Sequence, residues 1–166
     1  YFGVNPRCTP EKYYPALNNF FNIFEREYNM DVIVGAHPKS DYESNPKFLY
    51  GRKFIKNKTM SLIKDSEVVI THASAAISYA ILFKKPIIFL LSDEYIRSFD
   101  NYTPAVLAKK LNSTYFNIDD KNNNSKIKNI NLFKVDNKKY KTYKDDYIKY
   151  PSAINENFWE IFNKKI

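Results

Sequence analysis

The chain alternates short, continuously apolar runs with longer stretches whose apolar residues recur at helical spacing. DVIVGA (31–36), EVVIT (67–71), PIIFLL (86–91) and TYFNI (114–118) read as buried strands. Rich in Val, Ile, Leu and Phe and without polar alternation, they show the pattern of strands covered on both faces. KFLYGRKFI (47–55) reads as a further strand.

The stretches between them read as helices. TPEKYYPALNNFFNIFEREYN starts with Thr9 as N-cap and Pro10 at the first helical position, and sets Tyr13, Tyr14, Leu17, Phe20, Phe21, Phe24 and Tyr28 on one face. Pro15 falls inside it, which predicts a start near Tyr14 or a kink. NKTMSLIKDS (57–66), SAAISYAILFKK (74–85) and TPAVLAKKLN (103–112) follow, with Ile77, Ala80, Ile81 and Leu82 sharing one side of the second. Residues 122–124 mark a polar loop. The tail carries NLFKV and then helical material over 140–150 and 152–166, where Ile154, Phe158, Ile161 and Phe162 form a stripe. Strands alternating with helices predict a three-layer Rossmann-like α/β domain with a mainly parallel sheet, one domain over residues 1–166.

Composition narrows the class. Hydrophobic residues at 44% and aromatics at 17% suit a packed core. Cys8 is the single cysteine, so neither an internal disulfide framework nor a cysteine zinc site is available, and a cytoplasmic home is expected. No apolar run reaches the roughly 18 to 20 residues that span a bilayer. The net charge of +8 is concentrated late, where residues 121–149 hold nine Lys against three Asp. Such a patch reads as a solvated surface, and nucleic acid is not expected as a partner.

In open α/β sheets ligands sit beyond the carboxyl ends of the strands. His37, Pro38, Lys39 and Ser40 follow the first run, His72, Ala73 and Ser74 the second, and Ser92, Asp93 and Glu94 the third. Both histidines of the chain fall there. Ser74 opens a helix whose first turn holds Ala75 and Ala76, so that backbone N–H groups stand open to a phosphate; equally, it serves as a plain N-cap. Each histidine is either a ligand contact or a satisfied strand-end residue; His72, nearer the sheet, leans toward the structural reading and is the secondary contact. Lys39 and Arg52 are candidate charge partners. The chain has no Gly-x-Gly-x-x-Gly, no Gly-Lys-Ser/Thr loop, no Asp-x-Asp and no Gly-x-Ser-x-Gly elbow. Two histidines without spaced carboxylates make a weak metal site, and no metal is expected.

VGAHPKSDY, followed about thirty residues later by LIKDSEVVITHASAAISYAILFKKPIIFL, resembles the C-terminal, donor-binding half of bacterial GT-B glycosyltransferases of surface-carbohydrate synthesis, in particular the sialyltransferase and polysialyltransferase group. The similarity covers residues 10–95 best. In that group a His-Pro pair and a Ser motif hold a nucleotide sugar, which implies binding roles for His37, Pro38 and Ser74. Ala75 stands where these enzymes often carry a second hydroxyl. The resemblance also implies a separate N-terminal half that brings the general base, a carbohydrate acceptor, no cofactor beyond the nucleotide-sugar co-substrate, and contact with the cytoplasmic face of the inner membrane. The same cadence is similar to CDP-glycerol glycerophosphotransferases. A non-enzymatic binding module of this fold is the reading from another class.

Overall fold

Strand pairing in the computed structural model, which describes residues 8–98 and 102–154 together with Glu156 and Glu160, is parallel throughout. The strands are β1 (Val34–Ala36), β2 (Phe54–Lys56), β3 (Val69–Thr71), β4 (Ile87–Leu91) and β5 (Thr114–Asn117). The helices are α1 (Pro10–Tyr28), α2 (Thr59–Asp65), α3 (Ile77–Leu82), α4 (Asp93–Arg97), α5 (Thr103–Leu111), α6 (Asn123–Lys128) and α7 (Asn137–Tyr143).

β4 shows why the sequence folds into layers. All five of its residues are buried. Ile88 and Leu90 point into a cluster with Leu17, Phe20 and Phe24 of α1 and Ile127 of α6. Ile87 and Phe89 point the other way, against Ile77 and Ala80 of α3, Leu111 of α5 and Tyr140 of α7. A strand sandwiched between helices needs apolar residues at every position, and each fully buried one contributes about 1.5–3 kcal/mol. The result is an α/β arrangement compatible with a Rossmann-like three-layer fold.

The sheet itself differs from expectation. β1 pairs with β2, while β3, β4 and β5 form a second sheet, and among the described residues no ladder joins β1 to β3. The facing edges of β1 and β3 are separated by two clefts, and Leu62 of α2 lines both of them.

Local departures have local causes. The run 47–55 is not one strand: a 3₁₀ turn occupies Pro46–Leu49, Tyr50 and Gly51 take positive φ of 50° and 83°, and only Phe54–Lys56 is extended. Pro at the first position starts the turn, and two left-handed residues cannot continue a strand. α1 runs unbroken through Pro15, which lies near its start on the exposed side. Ile77, Ala80 and Ile81 are buried as expected, whereas Leu82 turns outward at 46% exposure. Residues 123 and 124, expected in a loop, begin α6. A π-helical turn over Lys144–Ile148 follows α7. Of the expected terminal stripe, Ile154 is exposed and outside any helix, and Phe158, Ile161 and Phe162 lie outside the described residues. No helix among the described residues is long and apolar enough to cross a membrane.

Candidate functional site

Two chain turns meet at the carboxyl ends of β1 and β3, around a cleft of about 300 Å³ lined by His37, Pro38, Thr71, Ser74 and, from α2, Thr59. The first turn is built by His37 itself. Its carbonyl accepts the backbone N–H of Ser40 at 2.9 Å and the Ser40 hydroxyl at 2.7 Å. Lys56 of β2 clamps the turn from outside, donating to the Ser40 carbonyl at 2.6 Å and pairing with Glu43 at 2.8 Å. The His37 ring is held too, because Nδ1 accepts the Lys39 N–H at 3.1 Å. In the neutral ring the proton therefore sits on Nε2, which makes that edge of an exposed imidazole a donor.

Ser74 corrects the expected helix start. α3 has six residues and begins at Ile77. Ser74 opens a tight turn ahead of it, its carbonyl accepting the Ile77 N–H at 3.1 Å and its hydroxyl oxygen accepting the Ala76 N–H at 3.2 Å. The N-cap position falls two residues on, at Ala76, and the N–H groups of Ala76, Ile77 and Ser78, expected to stand open to a phosphate, are taken by the Ser74 hydroxyl and by the Ser74 and Ala75 carbonyls; only the hydroxyl hydrogen of Ser74 remains to donate. Among the described residues no carboxylate lines the cleft. His37 and Ser74 line one space without a negative charge, and their side chains are of the donor types suited to an anion.

The remaining sequence candidates go elsewhere. Lys39 is exposed on the turn and does not line the cleft. Arg52 is part of the frame: its guanidinium donates to Glu25 at 2.9 and 2.6 Å and to Asn18 at 2.6 Å, and its side chain is 8% exposed. His72 is also structural. Its Nδ1 lies 2.8 Å from the Leu90 carbonyl, which can only accept, so the proton is on Nδ1. Nε2 then accepts the Tyr13 hydroxyl at 2.5 Å, and the Tyr95 ring stacks over the imidazole with centroids 5.5 Å apart. With both nitrogens committed, His72 offers nothing to a ligand in place of its expected secondary contact. Burial holds its pKa below the ordinary value, so the ring is neutral. Burial likewise pushes the Tyr13 hydroxyl up, which keeps it a donor.

The third strand end gives a different kind of surface. Lys12, Tyr13, Asp93, Glu94, Arg97 and Asp119 surround a smaller cleft of about 210 Å³. Its carboxylates are occupied: Asp93 accepts from the Asn117 side chain at 2.7 Å, Asp119 from the Asp93 N–H at 2.7 Å, and Glu94 from the Thr9 N–H at 2.6 Å. The Thr9 hydroxyl, its N–H and Lys12 together hold the Glu94 carboxyl at about 2. Three carboxylates against Lys12 and Arg97 make this cleft less suited to a phosphate than the one lined by His37 and Ser74, which no carboxylate among the described residues lines.

Sequence reasoning missed Thr59 and Thr71 as cleft hydroxyls. Both stand at or just after the carboxyl end of a parallel strand, so the rule that singled out His37 covers them once β2 is placed at 54–56. Searches of protein families, of curated proteins and of solved structures find no match to this chain.

Proposed function

We propose that the chain is the nucleotide-sugar-binding domain of a glycosyltransferase of bacterial surface-polysaccharide synthesis, working in the cytoplasm at the inner-membrane face with a cytidine-linked donor such as CMP-sialic acid or CMP-Kdo. The observation that carries this reading is the convergence of His37, Pro38 and Ser74 on one carboxylate-free cleft at the carboxyl ends of β1 and β3. It is the position at which α/β folds of this kind seat nucleotides.

In this reading the His37 Nε2–H and the Ser74 hydroxyl donate to the donor's phosphate oxygens. As the bond between the anomeric carbon and the phosphate oxygen breaks, negative charge grows on the departing nucleotide, and fixed donors there stabilise it without reorganising. The acceptor hydroxyl forms the new bond and loses its proton to a general base, which the proposal assigns to an N-terminal half.

Thermal denaturation with CMP, CDP, UDP or GDP tests the proposal. A nucleotide at about 100 times its dissociation constant stabilises the chain by about 2.7 kcal/mol. Stabilisation by cytidine nucleotides alone is the expected outcome. A response to CDP without one to CMP moves the reading to CDP-glycerol transfer, and no response to any of the four overturns it.

A further inference from the structure

A further concave surface is lined by the start of α1 and by the turn over residues 46–50. Tyr14 and Phe48 form its floor, stacked face to face with ring centroids 4.4 Å apart and planes 5° apart. The stack is anchored from below, because the Asn18 side chain, itself buried, donates to the Phe48 carbonyl at 2.8 Å. Tyr50 stands beside it, 61% exposed. Its backbone is left-handed at φ 50°, a conformation bulky side chains rarely adopt, so the chain turns a large ring out to solvent at a conformational cost. Lys47 and Glu11 edge the cleft, whose volume is about 470 Å³.

We propose that this cleft is a carbohydrate subsite that takes a pyranose ring of the saccharide acceptor against Tyr50 and the edge of the Tyr14–Phe48 stack. A sugar ring presents an apolar C–H face, which matches the electron-rich face of an aromatic ring, and a rim of hydroxyls that need partners. Lys47 supplies donors, Glu11 acceptors and the Tyr50 hydroxyl both. An acyl chain calls for an enclosed apolar space without charges at its edge. The phosphates of a nucleotide would face Glu11. The subsite also adjoins the donor turn: the Tyr14 hydroxyl donates to the Tyr42 hydroxyl at 3.4 Å, and Tyr42 lies in the loop leaving His37–Ser40. The choice of a saccharide rests on the glycosyltransferase reading; the aromatic floor and its charged rim do not.

Native gel electrophoresis through embedded polysaccharide tests this directly, using dextran, hyaluronan and polysialic acid in separate gels. Wild-type chain is expected to be retarded by at least one of them, and Tyr50→Ala to weaken that retention by about tenfold, the loss of one aromatic contact. Lys47→Ala is expected to weaken it less. Tyr50 is exposed, so its removal leaves the core intact, and an unchanged melting temperature verifies that. The proposal is overturned if no gel retards the wild type, if Tyr50→Ala runs as the wild type does, or if a proline-rich peptide binds the cleft and no polysaccharide does. Retention in the gel without any nucleotide response overturns the donor reading and leaves the subsite standing. A cytidine response without retention does the opposite.

Discussion

His37 and His72 stand at equivalent places in the chain, each just after an apolar run that ends in a short parallel strand, yet the structure uses them in opposite ways. His37 is exposed and spends Nδ1 on its own turn. His72 spends both nitrogens inside the protein, linking α1 to β4 through Tyr13 and the Leu90 carbonyl. The two cations divide similarly, with Lys39 on the exposed turn and Arg52 clamped between α1 and the chain entering β2. A strand-end position brings a polar side chain to the right edge of the sheet. Whether it faces a ligand depends on what stands above it. Over His72 there is the first turn of α1; over His37 there is open space.

Substitutions can break this contrast. Arg52→Ala should have the largest effect, a loss of about 2–3 kcal/mol in denaturant unfolding, because the Glu25 carboxylate and the buried Asn18 amide lose a charged partner together. His72→Ala should cost about 1–3 kcal/mol, leaving the Tyr13 hydroxyl and the Leu90 carbonyl unpaired. Tyr13→Phe in the same assay should cost less. A loss within error for His72→Ala would show that the histidine is not part of the frame.

The buried ring also predicts a pH dependence. Its folded pKa lies below the ordinary 6.5 because burial disfavours the charged form, so the unfolded chain binds the proton more readily. The stability that the neutral ring contributes is complete above pH 6.5 and is lost as the pH falls from there through the folded value. Unfolding measured between pH 8 and 5 should show the decline in wild type and a shallower one in His72→Ala. Equal slopes would contradict the assignment. His37→Ala should change stability least, by under about 0.5 kcal/mol as for other exposed positions. Its effect should appear instead in binding of a cytidine nucleotide, weakened by about 1–3 kcal/mol in a calorimetric titration. A stability loss in His37→Ala as large as that in His72→Ala would erase the distinction between them.

Some of the site was legible because it follows from strand ends. His37, Pro38 and Ser74 could be placed on one edge from PIIFLL, EVVIT and DVIVGA alone, since parallel strands share a direction and their carboxyl ends gather. A structural lean for His72 was legible from its place near the sheet, but its partners were not, and neither was the role of Arg52. Tyr13 lies 59 residues from its histidine, and Glu25 lies 27 from its arginine. Periodicity reports which face of an element is covered and says nothing of the atoms that cover it. The aromatic cleft was hidden for a related reason: KFLYGRKFI has strand composition, and only the positive φ of Tyr50 and Gly51 shows that its middle is a turn.

What the sequence determined by itself is the layering. Unbroken apolar strands such as PIIFLL must be buried on both faces, and the apolar stripe of α1 has to lie against one of them. What only the tertiary structure decided is where that layering opens, between β1 and β3, and which of two chemically identical rings it leaves in reach of a ligand. Burial is written locally, in the spacing of apolar residues. Hydrogen-bond partners come from elements far apart in the chain, and they exist only once those elements have packed.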